Sequence, residues 1–84
     1  MNHILRKPAV KAAMGHRSDT SVQNAVRDGL CTKPVAIGAR AIGWPSREIE
    51  VLVNARIAGK TNDEIRALVN RLHEQRAAIA LALA

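Results

Sequence analysis

The chain has 84 residues, 48% of them hydrophobic, and a net charge of +6; this is room for one small core, too apolar for a disordered tail, with an excess charge that suits a polyanion. A single cysteine, Cys31, excludes an intramolecular disulfide and a cysteine-based zinc site, and His3, His16 and His73 lack metal-ligand spacing, so no metal or cofactor is expected. No run approaches the ~18 apolar residues of a membrane span, and Met1 to Met14 lacks the apolar region of a signal peptide, which leads to the expectation of a cytoplasmic protein with no membrane partner.

Residues 4–6 form a short extended lead-in. Lys7-Pro8 starts a first helix, because proline is tolerated at the first helical position. Val10, Ala13 and Met14 share one face of it and Gly15 closes it. After the turn His16-Arg17, Ser18 caps a second helix with Asp19 against its positive end. Val22, Ala25 and Val26 are its buried stripe; Asp19, Thr20, Gln23, Asn24 and Arg27 lie opposite, and Gly29 ends it. Two short helices joined by a glycine-containing turn make a helix-turn-helix.

From Leu30 the pattern becomes alternating. Val35 and Ile37, then Ile42 and Trp44, are expected to face inward on two strands joined by the basic tip Gly38-Ala39-Arg40, a β-hairpin that reads as a wing. Pro45-Ser46 opens a third helix with Ile49, Leu52, Val53 and Ile57 inward and Gly59 at its end. Thr61 and Glu64 form a capping box before a fourth helix. That helix carries Ile65, Leu68, Val69, Leu72, Ile79 and Leu83 on a stripe interrupted by Arg76, and is expected to run to the C-terminus. The expected architecture is mainly α with a small β-hairpin: a winged helix-turn-helix over residues 1–58, followed by a C-terminal helix over 59–84. The core is built of small side chains, with Trp44 the only aromatic residue, so self-association through the last helix is expected to support the fold.

Charge is unevenly placed. Residues 1–40 hold Arg6, Lys7, Lys11, Arg17, Arg27, Lys33 and Arg40 against Asp19 and Asp28, a balance of +5; residues 41–84 balance to +1. The first half is therefore expected to face the phosphates of double-stranded DNA. Gln23 and Asn24 are the residue types that pair bidentately with adenine, and Arg27 suits guanine or phosphate. Thr20 and Ser21, in the first turn of the second helix, reach phosphate or thymine methyl groups. Arg40 at the hairpin tip suits a narrow minor groove. Lys33, Arg17 and Lys7 are expected to hold backbone phosphates, setting affinity and register without reading sequence. No enzyme is expected: no nucleophile lies near a general base in sequence, no glycine loop cradles phosphate, and Glu48, Glu50, Asp63 and Glu64 occupy helix N-terminal turns, where the helix dipole accounts for them.

Residues 4–56 resemble the AlpA family of small phage and prophage regulators, which is related to excisionases and to the DNA-binding part of MerR-type proteins. The resemblance is carried by Arg27-Asp28-Gly29, by Lys33-Pro34-Val35-Ala36-Ile37-Gly38-Ala39-Arg40-Ala41-Ile42-Gly43-Trp44, and by the acidic amphipathic helix from Ser46. It implies that Ser18 to Asp28 is the recognition helix and Arg40 the wing contact. The turn Gly15 to Ser18 is one residue longer than the family's, position 23 is Gln where the family often has an aromatic residue, and the helix from Thr61 extends past the family domain. The roles implied are excisionase (recombination directionality factor), bending attachment-site DNA for an integrase, or transcriptional control at a promoter. The small size, basic bias and extra helix favour the excisionase role and a nucleoid-associated location. A partner-binding module such as an antirepressor is the reading from a different class, and it predicts no salt-sensitive DNA binding.

Overall fold

A computed structural model describes residues 3–83; Met1, Asn2, Ala84 and the expected place of the Leu83 side chain on the last stripe lie outside what is described. Seven elements follow in order: β1 (Ile4–Leu5), α1 (Lys7–Ala13), α2 (Asp19–Arg27), β2 (Val35–Ala36), β3 (Ile42–Pro45), α3 (Ser46–Ile57) and α4 (Asn62–Leu83). The chain is mainly helical, with one small antiparallel sheet in the order β1-β3-β2.

Local signals account for the helix boundaries. The Ser18 hydroxyl accepts from the Ser21 N–H at 3.2 Å and starts α2. Thr61 and Glu64 exchange two hydrogen bonds, Thr61 N–H to Glu64 Oε1 at 3.1 Å and Glu64 N–H to Thr61 Oγ1 at 3.2 Å; these bonds hold the Glu64 carboxyl below its usual range. Gly15, which follows α1, and Gly29, which follows α2, take positive φ of 71° and 78°, where a side chain would be strained.

The sheet has one strand more than expected. Ile4 pairs with Pro45 and Leu5 with Trp44, so the lead-in becomes β1 on the outer edge of β3. A two-residue strand has no alternation to read. Its place is set by Gly43, where a Cβ would overlap Ile4 Cγ2 and approach the Leu5 carbonyl oxygen to 2.9 Å. The strand's start is clipped by His3, whose carbonyl accepts from Ser46 N–H at 2.6 Å and whose N–H donates to Ser46 Oγ at 2.8 Å.

One core joins all four helices and the sheet: Val10 of α1, Val22 of α2, Cys31, Trp44 of β3, Ile49 and Leu52 of α3, and Ile65, Val69 and Leu72 of α4. Four residues expected on inward-facing stripes are exposed. Ile57 is 78% exposed, because at 100° per residue it lies about 140° around α3 from the buried Leu52. Ile37 and Ile42 are exposed; Ile42 borders an open cleft with Lys7 and Gln23, so its face of β3 is covered only at Trp44. Ala13 is exposed, and α1 buries Val10 with Met14 half-buried.

Glu48 lies in the first turn of α3, as expected, but the helix dipole is not its whole role: it is buried and held by Arg76, with Arg76 Nε to Glu48 Oε2 at 2.7 Å and Arg76 Nη2 to Glu48 Oε1 at 2.5 Å. The charge that interrupts the α4 stripe thus continues the packing of that stripe by pairing with α3.

Candidate nucleic-acid interface

Helix α2 turns its apolar side to the core and leaves Thr20, Gln23, Asn24 and Arg27 exposed. The two amides flank this face on different sides. Gln23 borders a shallow cleft with Lys7 of α1, Pro34 and Ile42 of the hairpin, and buried Trp44. Asn24 and Ser21 border a second groove with His16, Asp28, Arg56 and Ile57. A body entering along α2 therefore meets the hairpin on the Gln23 side and the end of α3 on the Asn24 side.

Three of the expected contact residues, Ser18, Ser21 and Arg27, are engaged locally. Ser18 spends its hydroxyl on the cap and on Ser21 Oγ, 3.1 Å away. Arg27 pairs with Asp28, Nε to Oδ1 at 3.1 Å. That pair is exposed on both sides, so it is weak and exchangeable for a phosphate. Arg17 lies in the turn beside the Ser18 cap, and Arg40 is exposed at the hairpin's outer end, where the Ile37 N–H to Ala41 carbonyl bond of 2.9 Å closes the tip.

The pairing of charges sharpens the asymmetry seen in the sequence. Arg6, Lys7, Arg17, Lys33 and Arg40 have no side-chain ion pair or hydrogen bond among the described residues. In the second half, Lys60 pairs with Glu64, Arg66 with Asp63 and Arg76 with Glu48. Arg56 donates to Asn62 Oδ1 and Arg47 to Gln75 Oε1; Arg71 is the second-half cation without such a partner among these residues. Uncommitted positive charge is thus concentrated on the elements around α2 and the hairpin, where it remains available to an anionic partner.

The loop from α2 to β2 carries Lys33 and is held by contacts that sequence reasoning missed. Thr32 offers its carbonyl to Trp44 Nε1 at 2.8 Å. Lys33 donates its N–H to His73 Nε2 at 3.1 Å and accepts at its carbonyl from Arg76 Nη2 at 2.7 Å. Partial burial, with the nearby charges of Arg76 and Lys33, pulls the His73 imidazole below its ordinary range against the opposing effect of Glu48. The available signal was Arg76 itself: a cation in register with Ile65, Val69 and Leu72 calls for a carboxylate on a facing helix, and Glu48 lies one turn before Leu52.

Cys31, next to Thr32, is buried, and burial pushes its thiol up to about 11, which keeps it protonated and unreactive at neutral pH. Among the described residues no group of His, Cys, Asp or Glu could hold a metal ion, and no helix is long and apolar enough to cross a membrane. Compared with known proteins, the chain matches no family model, no curated protein and no solved structure, so the reading of this face rests on its own residues.

Proposed function

We propose that this chain is a winged helix-turn-helix protein that binds double-stranded DNA with α2 in the major groove and the β2-β3 hairpin as its wing. The observation that carries the reading is the set of uncommitted cations, Arg6, Lys7, Arg17, Lys33 and Arg40, on the segments that flank α2 in the chain and on the hairpin, with Lys7 lining one cleft with Gln23 of α2. Phosphate neutralisation by such groups supplies affinity, and Gln23 and Asn24 supply base readout. In keeping with the AlpA resemblance, the role is that of an excisionase, which bends attachment-site DNA for an integrase. Footprinting across both attachment-site arms and the neighbouring promoters separates this role from transcriptional control.

Binding is expected to weaken steeply with salt. Arg40→Ala is expected to cost about 1–2 kcal/mol on duplexes with A/T-rich flanks, on the scale of one charge-assisted hydrogen bond in a narrow groove. Gln23→Ala and Asn24→Ala are expected to lower binding to the specific site while leaving random duplex nearly unaffected. Titrations of labelled duplex over a salt series check all three. Salt-independent binding, or no binding, favours the partner-module reading instead.

The end of α4 supplies contact between neighbouring protomers on adjacent sites. Ile79 is 55% and Leu81 78% exposed, and residues 77–83 carry no charge. A chain ending after Ala78 keeps Arg76 and its bonds, so it is expected to fold and bind a single site but to lose cooperativity on tandem sites. Cooperativity equal to that of the full chain would assign the apolar end no part in assembly.

A further inference from the structure

We propose that His73 is a positioning residue for the DNA contact at Lys33, holding that residue's peptide so that its ammonium group is presented at the root of the wing. The inference rests on the DNA-binding reading above and adds to it a residue of α4, an element outside the winged region.

Lys33 is divided between two tasks. Its backbone is gripped at both polar groups by α4, N–H by His73 Nε2 at 3.1 Å and carbonyl by Arg76 Nη2 at 2.7 Å. Its side chain is exposed and makes no ion pair or hydrogen bond among the described residues. On one side the Thr32 carbonyl is fixed by Trp44; on the other Pro34 restricts φ and has no N–H to donate. A loop segment whose main chain is tied down at successive residues while one cation is left unused fixes the point from which that cation's flexible side chain extends.

The imidazole acts as an acceptor, which requires the neutral ring with its proton on Nδ1. The groups that face it are the Lys33 peptide and ammonium from the loop, Arg76 from α4 itself and Glu48 from α3. Glu48 fixes Arg76 through two bonds, so the carbonyl side of the grip is built into the core. The N–H side depends on His73 alone among the described residues. That makes His73 the place to test the grip, because its loss strands no buried charge.

The test is the slope of log affinity against log salt for the full chain on one duplex. Lys33→Gln is expected to make the slope shallower by about one, as for one phosphate contact. His73→Leu is expected to make it shallower by a similar amount with Lys33 intact, and the double variant to go no further. His73→Gln, which offers an acceptor near the Nε2 position, is expected to restore the original slope. If His73→Leu does not fold, the pair His73→Gln and His73→Asn carries the same distinction, since the shorter side chain falls short of the Lys33 N–H. The proposal is overturned if His73→Leu (or His73→Asn) keeps the original slope while Lys33→Gln lowers it, or if the effects of the two residues add. It also falls if Lys33→Gln leaves a salt-dependent slope unchanged, an outcome that spares the wider DNA reading. Loss of salt-dependent binding in the unaltered chain would instead remove the DNA reading and this inference together.

Discussion

Arg76→Ala is expected to destabilise the fold by about 3–5 kcal/mol, the scale for breaking a buried ion pair from one side. The reason is what stays behind. Glu48 is 6% exposed, and both its oxygens accept from Arg76. Without the guanidinium its carboxylate is left charged and unpaired beside the core. The Lys33 carbonyl loses its donor in the same step. A chain of this length is stable by roughly 4–12 kcal/mol, so the loss is a large part of the total. Glu48→Gln is expected to cost less, because Arg76 is partly exposed and its guanidinium can turn to water. Replacing both, Glu48→Met with Arg76→Leu, is expected to recover most of the stability. Truncation gives the same contrast: a chain ending after Glu74 behaves like Arg76→Ala, and one ending after Ala78 like the full chain. Urea unfolding followed by circular dichroism measures each, and an Arg76→Ala midpoint near that of the full chain would show that the pair contributes little.

This pair marks where the sequence stops being legible. Every helix announced itself through an end: Pro8 at the start of α1, Ser18 before α2, Pro45 before α3, the Thr61–Glu64 exchange before α4, and Gly15, Gly29 and Gly59 after the first three helices. These are interactions over a few residues, and the residue types needed for them are few. The hairpin was legible for the same reason, with Ile42-Gly43-Trp44 returning after a glycine-containing tip. What was not legible is what depends on two distant segments at once. The pairing of Ile4 and Leu5 with β3 spans about forty residues, as do the bonds from His73 and Arg76 to Lys33.

The candidate interface divides along the same line. Polar residues on α2 could be assigned to its exposed face from periodicity, and Thr20, Gln23, Asn24 and Arg27 are exposed there. Periodicity does not say which neighbour each one borders, and Gln23 and Asn24 turn out to border different grooves. Nor does charge counting reveal which cations are already used. Arg27 and Arg40 look equivalent in the sequence, yet one is paired with Asp28 and the other has no such partner among the described residues. Helix α4 was expected to pack by its apolar stripe. Its polar residues His73 and Arg76 are what join it to the loop that bears Lys33.

Trp44→Ala is expected to be at least as damaging, at about 3–5 kcal/mol for the missing ring and the cavity it leaves. Trp44 is 1% exposed and is the only large ring available to a core otherwise made of Val, Ile, Leu and Cys31. No neighbouring side chain has the volume to fill its place. The substitution also removes a donor, since Trp44 Nε1 is 2.8 Å from the buried Thr32 carbonyl. Trp44→Phe separates the two effects. It keeps most of the ring volume and leaves the carbonyl without its partner, for an expected loss of about 1–3 kcal/mol. The bond spans from β3 to the loop, so its loss is expected to loosen residues 32–34 before it unfolds the helices. Amide exchange therefore distinguishes the variants. In Trp44→Phe the Lys33 amide should exchange faster while those of Val69 and Leu72 stay protected; in Trp44→Ala all three should exchange together. If Trp44→Phe speeds the α4 amides as much as the Lys33 amide, the indole bond is holding the core as a whole and not the loop that carries the proposed phosphate contact.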